Sequence, residues 1–166
     1  MGCDIHGFWE FKTPDGAWIA FERINDARSY TWFGIIAGVR RPSGNLETSE
    51  RGVPADCSNA WRQFVDAWGR DLHSHTWLTP AEVRQANRDL FLSYRKEDGE
   101  ETDPEDLWSA DNYHETIPVP QMNVSRIFLP GPENRYKDMA WTGTLEEIVG
   151  DQDLSDKIRM VIAFDN

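Results

Sequence analysis

Ile158-Arg159-Met160-Val161-Ile162-Ala163-Phe164 is an apolar run of strand length. A strand with one solvated face alternates apolar and polar residues. This one is apolar on both faces, so it is expected to pair centrally in a sheet. The opposite end of the chain also reads as a strand. From Gly2 to Phe11, alternation puts Cys3, Ile5, Trp9 and Phe11 on one side as a core stripe. Asp4, His6, Phe8 and Glu10 fall on the other side. Ala17–Ile24 is a third candidate strand, reached through the turn Thr13-Pro14-Asp15-Gly16. Proline presets one turn dihedral there, and glycine tolerates positive φ.

Helical signals fill the space between. After Arg28-Ser29-Tyr30, the residues Trp32, Phe33, Ile35, Ile36 and Val39 form one helical stripe, which Arg40-Arg41-Pro42-Ser43-Gly44 should end. Ser58 can cap a helix with Trp61, Phe64, Val65 and Trp68 at i, i+3, i+4 and i+7, stopped by Gly69. Thr79-Pro80-Ala81-Glu82 combines an N-cap, a first-turn proline and a capping-box glutamate, and predicts a helix to about Leu90 or Leu92. A short strand at Arg126–Leu129 and a short helix at Thr144–Val149 are also expected. Together these elements predict an α+β fold with a mostly antiparallel sheet that includes both terminal strands. Three or four helices and long irregular loops complete it.

The 166 residues suit a single domain spanning 1–166. Eight Trp and eight Phe supply enough apolar area for a core. A net charge of −12 argues against direct nucleic-acid binding, which needs clustered Lys and Arg. Seven acidic residues and no basic one lie within Glu97–Asp106, part of a loop or insertion expected over about 93–125. A second polar loop is expected from Asn45 to Asp56. Two cysteines, Cys3 and Cys57, with no signal or membrane segment in view, predict a reduced, cytoplasmic protein.

Four histidines concentrate the chemistry: His6, His73, His75 and His114. In Asp71-Leu72-His73-Ser74-His75-Thr76-Trp77, an extended backbone would put Asp71, His73 and His75 on one face. Joined to Asp4 and His6, they would make a carboxylate–imidazole cage for zinc or another divalent ion. The plainer alternatives are a hydrogen-bonded core-edge histidine at His6 and a polar loop at His73-Ser74-His75. Arg28 and Arg40 flank the first helix and can clamp a carboxylate or phosphate. His114-Glu115-Thr116 supplies one His-x-Thr unit of the two that a two-histidine phosphoesterase needs, and no second unit is present.

Four blocks carry a family resemblance. They are Met1-Gly2-Cys3-Asp4-Ile5-His6, Arg28-Ser29-Tyr30 with Phe33, Ala37, Val39 and Arg40, His73–Thr79 with Glu82, and Arg159–Asn166. In these the chain resembles a group of small bacteriophage and bacterial proteins that open with the first block and close on a strand ending Phe-Asp-Asn. The resemblance implies a phage-type protein, placed in the host cytoplasm if phage-encoded, and brings no reaction with it.

The resulting expectation is a polar pocket binding a small anionic ligand such as a nucleotide. Asp4, His6, His73 and His75 would line it as catalytic or metal-binding groups, with Arg28, Tyr30, Arg40 and Trp77 as ligand contacts. If the protein is an enzyme, a metal- or histidine-assisted hydrolysis fits these residues. The alternative is a non-enzymatic acidic inhibitor that blocks a host anti-phage defence protein.

Overall fold

The computed structural model describes residues 2–13, 15–24, 28–40, 48–49, 51–98, 115–117 and 157–165, with the backbone alone for 95–98. The α+β expectation holds. The strands are β1 (Ile5–Lys12), β2 (Trp18–Ile24), β3 (His73–Leu78) and β4 (Ile158–Phe164). They form one sheet in the order β2-β1-β4-β3, with every neighbouring pair antiparallel. β4 is central, and all seven of its residues are buried. Its two apolar faces follow from that position.

The β1–β4 register sorts side chains as the alternation of the sequence predicted. Ile5, Gly7, Trp9 and Phe11 stand opposite Phe164, Ile162, Met160 and Ile158, while His6, Phe8 and Glu10 stand opposite Ala163, Val161 and Arg159. Helices α1 (Tyr30–Ala37) and α3 (Pro80–Asp98) supply Trp32, Phe33, Ile36, Val83, Ala86 and Leu90 to the core on the first face. Helix α2 (Asn59–Trp68) covers the second face with Trp61, which packs on Val161 and Ala163. Each fully buried large side chain stabilises by roughly 1.5–3 kcal/mol. Gly7 is required by close approach: a Cβ there would run into the Val161 carbonyl and come within 2.7 Å of Ile162 Cγ2.

Caps set most of the helix boundaries. Ser29 Oγ accepts from Trp32 N (3.2 Å) and Ser58 Oγ from Trp61 N (3.2 Å). Thr79 and Glu82 satisfy each other reciprocally: Thr79 N donates to Glu82 Oε2 at 2.8 Å, and Glu82 N to Thr79 Oγ1 at 3.3 Å. Two helices end elsewhere than expected. α1 stops at Ala37, because Gly38 takes a left-handed φ of 67° and its N–H returns to Gly34 O. α3 continues to Asp98. Tyr94 packs against the core and donates to the Glu115 carboxylate (3.0 Å), while Arg95 and Lys96 are good helix formers.

Glu97 and Asp98 are therefore helical, and the rest of the acidic run lies outside the described residues. So do the strand expected at Arg126–Leu129 and the helix expected at Thr144–Val149. Among the described residues no helix is long and apolar enough to cross a membrane.

Candidate functional site

One rung at the edge of the sheet runs Ile5–Phe164–His73. Just beyond it, Asp165 N donates to Asp4 O (3.1 Å), and Asp4 N donates to Asp165 Oδ1 (3.0 Å). Asp165 Oδ2 lies 3.3 Å from His6 Nε2. Burial raises the Asp165 pKa, but the Asp4 amide and the His6 imidazole outweigh it, holding the carboxyl below its ordinary range. The His6 ring packs 4.7 Å from Trp68, the last residue of α2, and 5.7 Å from Phe64 in the same helix. Trp68, whose ring also stacks on Phe64 at 5.6 Å, keeps 37% of its surface exposed.

The same corner holds the first helix. Asp4 Oδ1 accepts from Arg28 Nε at 2.6 Å and also from Arg28 Nη2. Both side chains are substantially exposed, and the Asp4 hydrogen bond and charge raise the Arg28 pKa. Cys3 N donates to Tyr30 Oη (3.3 Å), and Arg40 Nη2 donates to Gly2 O (3.3 Å). The Arg40 guanidinium also lies 5.9 Å from the centre of the Tyr30 ring. These contacts bring Asp4, His6, Arg28, Tyr30 and Arg40 to the same end of β1. Cys3 is buried, which pushes its thiol pKa up despite Arg40.

The His73–Trp77 segment behaves differently. β3 pairs His73 with Phe164 but Thr76 with Ile162, so three residues of β3 match two of β4. This bulge turns His73 to the α1 face, where its ring stacks on Phe164 (6.3 Å). His75, next to Thr76, takes the opposite face together with Trp77. Asp71 lies in the preceding 3-10 turn, so the common face for Asp71, His73 and His75 does not form. His6 and His75 share a face, but β4 separates them by two strand spacings, roughly 10 Å. Among the described residues no group of three or more His, Cys, Asp or Glu could hold a metal ion. The zinc cage drawn from Asp4, His6, His73 and His75 is not assembled.

Burial and the neighbouring His73 lower the His75 pKa. Trp77 lies further along β3 under the Arg51 guanidinium (4.6 Å), which also grips Glu82 through two nitrogens, at 2.6 and 2.9 Å. It is away from Arg28, Tyr30 and Arg40. Thr116 is buried and Glu115 bridges Ser29 and Tyr94, which gives the His-x-Thr segment a structural task. His114 is outside the described residues.

Several important groups escaped the sequence reading. Asp165 and Trp68 complete the His6 surroundings. Glu10, fully buried, accepts from Arg159 Nε (2.8 Å) and from Ser58 N (2.9 Å). Arg159 also donates to Asp56 (2.9 Å) and lies 3.9 Å from the centre of the Trp18 ring. This network ties α2 to the sheet. The polar character of Glu10 and Arg159 inside otherwise strand-like runs was the available signal. No family model, curated protein or solved structure matches the chain.

Proposed function

We propose that this sheet corner binds a nucleotide-like ligand, with the base on Trp68 and the phosphate at Arg28 and Arg40. The observation that carries the reading is a continuous path of contacts. It runs from the exposed indole of Trp68 to His6, then through Asp165 to Asp4 and its exposed partner Arg28. A flat aromatic surface at one end and a guanidinium fork at the other suit a ligand that is aromatic at one end and anionic at the other. The paired Asp4 carboxylate makes Arg28 selective: an incoming anion must share or displace that partner.

Hydrolysis finds its parts in the same place. Asp165 would orient His6 through Nε2, leaving Nδ1 to accept a proton from water, and the arginines would stabilise developing negative charge. The alternative reading, an inhibitor of a host protein, depends on the acidic run beyond Asp98, outside the described residues.

Titrating nucleoside mono- and triphosphates by calorimetry, with Trp fluorescence as a second signal, tests the proposal. Base–aromatic stacking contributes about 1–3 kcal/mol, so Trp68→Ala should weaken binding roughly 5- to 150-fold. Arg28→Gln should weaken phosphates and leave the free nucleoside unaffected. Wild-type protein that binds no nucleotide at millimolar concentration refutes the reading.

A further inference from the structure

Ser74 occupies a backbone conformation that serine rarely adopts. Its φ is 51°, inside the β3 bulge, where glycine is the residue of least resistance. Its hydroxyl lies 2.9 Å from His73 Nδ1. The other ring nitrogen, His73 Nε2, is buried and has no hydrogen-bond partner among the described residues. Both residues keep partial solvent exposure. A residue held in a disfavoured conformation with a nucleophilic atom against a base is a recognised mark of stored function.

We propose that Ser74 is a nucleophile toward small carboxylic esters, with His73 as its general base. In the step envisaged, Ser74 Oγ bonds the ester carbonyl carbon as its proton passes to His73 Nδ1. The tetrahedral adduct collapses, the bond from carbon to the alcohol oxygen breaks, and the proton moves to the departing alkoxide. Water then adds to the acyl-Ser74, giving a proton to Nδ1. The Ser74 oxygen leaves with that proton, and a carboxylic acid is released. This site lies on the α1 side of the sheet through His73, whereas His6 faces α2. It is independent of the nucleotide reading.

The test uses a fluorophosphonate, which forms a phosphorus–oxygen bond with an activated serine as fluoride departs. Peptide mass spectrometry of the full chain should place the label on Ser74. His73→Gln should slow labelling by about a hundredfold or more, the range expected for loss of a general base. Ser74→Gly is the informative variant, because glycine suits the positive φ: it should be unlabelled, with an equal or higher thermal midpoint. Its nucleotide binding should match wild type. Absence of label, label on another residue, or a large fall in the Ser74→Gly midpoint each overturns the proposal; the last would make the hydroxyl a structural group.

Discussion

Glu10→Ala should be among the most destabilising single substitutions in the chain. The Glu10 side chain has 0% exposure and the Arg159 side chain 7%, so removing the carboxylate leaves a guanidinium short of charge in the interior. Breaking a buried pair by deleting one partner costs about 3–5 kcal/mol. Asp56 remains on Arg159, but its side chain is 62% exposed and compensates weakly. Ser58 N, at the start of α2, loses its acceptor as well, roughly 1 kcal/mol more. The expected loss is therefore about 4–6 kcal/mol, which for a chain of this size lowers the melting midpoint by roughly 8–24 °C. Replacing both partners, Glu10→Met with Arg159→Met, should cost only about 1 kcal/mol, the loss of the Ser58 N–H acceptor, because neither variant residue needs a charge partner. Urea denaturation of wild type, both single variants and the double variant gives the coupling directly. A Glu10→Ala protein within 1 kcal/mol of wild type would show that the carboxylate is not what neutralises Arg159.

Three further outcomes follow from the packing and the charges. Gly7→Ala should destabilise by about 1–3 kcal/mol in urea denaturation, since its Cβ meets the Val161 backbone carbonyl, which cannot step aside; a neutral result would refute that contact. Asn87 is fully buried, accepts from Trp32 Nε1 (2.9 Å) and donates to Ile117 O (3.1 Å), so Asn87→Leu should cost about 2–4 kcal/mol by the same measurement. Burial raises the Glu82 pKa, but Arg51 and the Thr79 amide and hydroxyl outweigh it and leave a net lowering; Asp165 is also lowered. A depressed carboxylate stabilises above its unfolded pKa and loses that contribution as pH falls through the folded value. The urea midpoint should therefore drop between about pH 5 and 2, and drop less in Arg51→Gln.

Local signals were legible in the sequence because they act within a few residues. The period-two stripe of Cys3, Ile5, Trp9 and Phe11, the α2 stripe and the Thr79–Glu82 capping box all describe neighbours. The central place of β4 was readable because a strand apolar on both faces has no other stable position. Long-range polar pairing was not: Glu10 and Arg159 are separated by 149 residues, and each alone looks like an ordinary charged residue. The faces of His73 and His75 were misjudged for a different reason. Strict alternation assumes an unbroken ladder, and one residue at positive φ, Ser74, shifts every face assignment on one side of it. Gly38 stopped α1 before the expected proline could, since a left-handed glycine closes a helix within one residue.

The corner that gathers Asp4, His6 and Asp165 exists only when β4 has entered between β1 and β3. The Asp4–Asp165 hydrogen bond spans 161 residues of sequence, so this site is assembled by the most non-local contact in the sheet. Loop closure over that distance must be overcome before the pairing contributes anything, which places the site late in folding. Fraying of Phe164 and Asp165 would separate His6 from its carboxylate and remove the ring on which His73 stacks. His6 and His73 lie on opposite faces, yet both depend on the last rung of β4. Substitution of Phe164 by Ala should accordingly impair nucleotide binding and Ser74 labelling together, whereas Trp68→Ala impairs only the first and Ser74→Gly only the second. If Phe164→Ala spared both while lowering stability, the rung would be a packing element and the two sites would be held by their own loops.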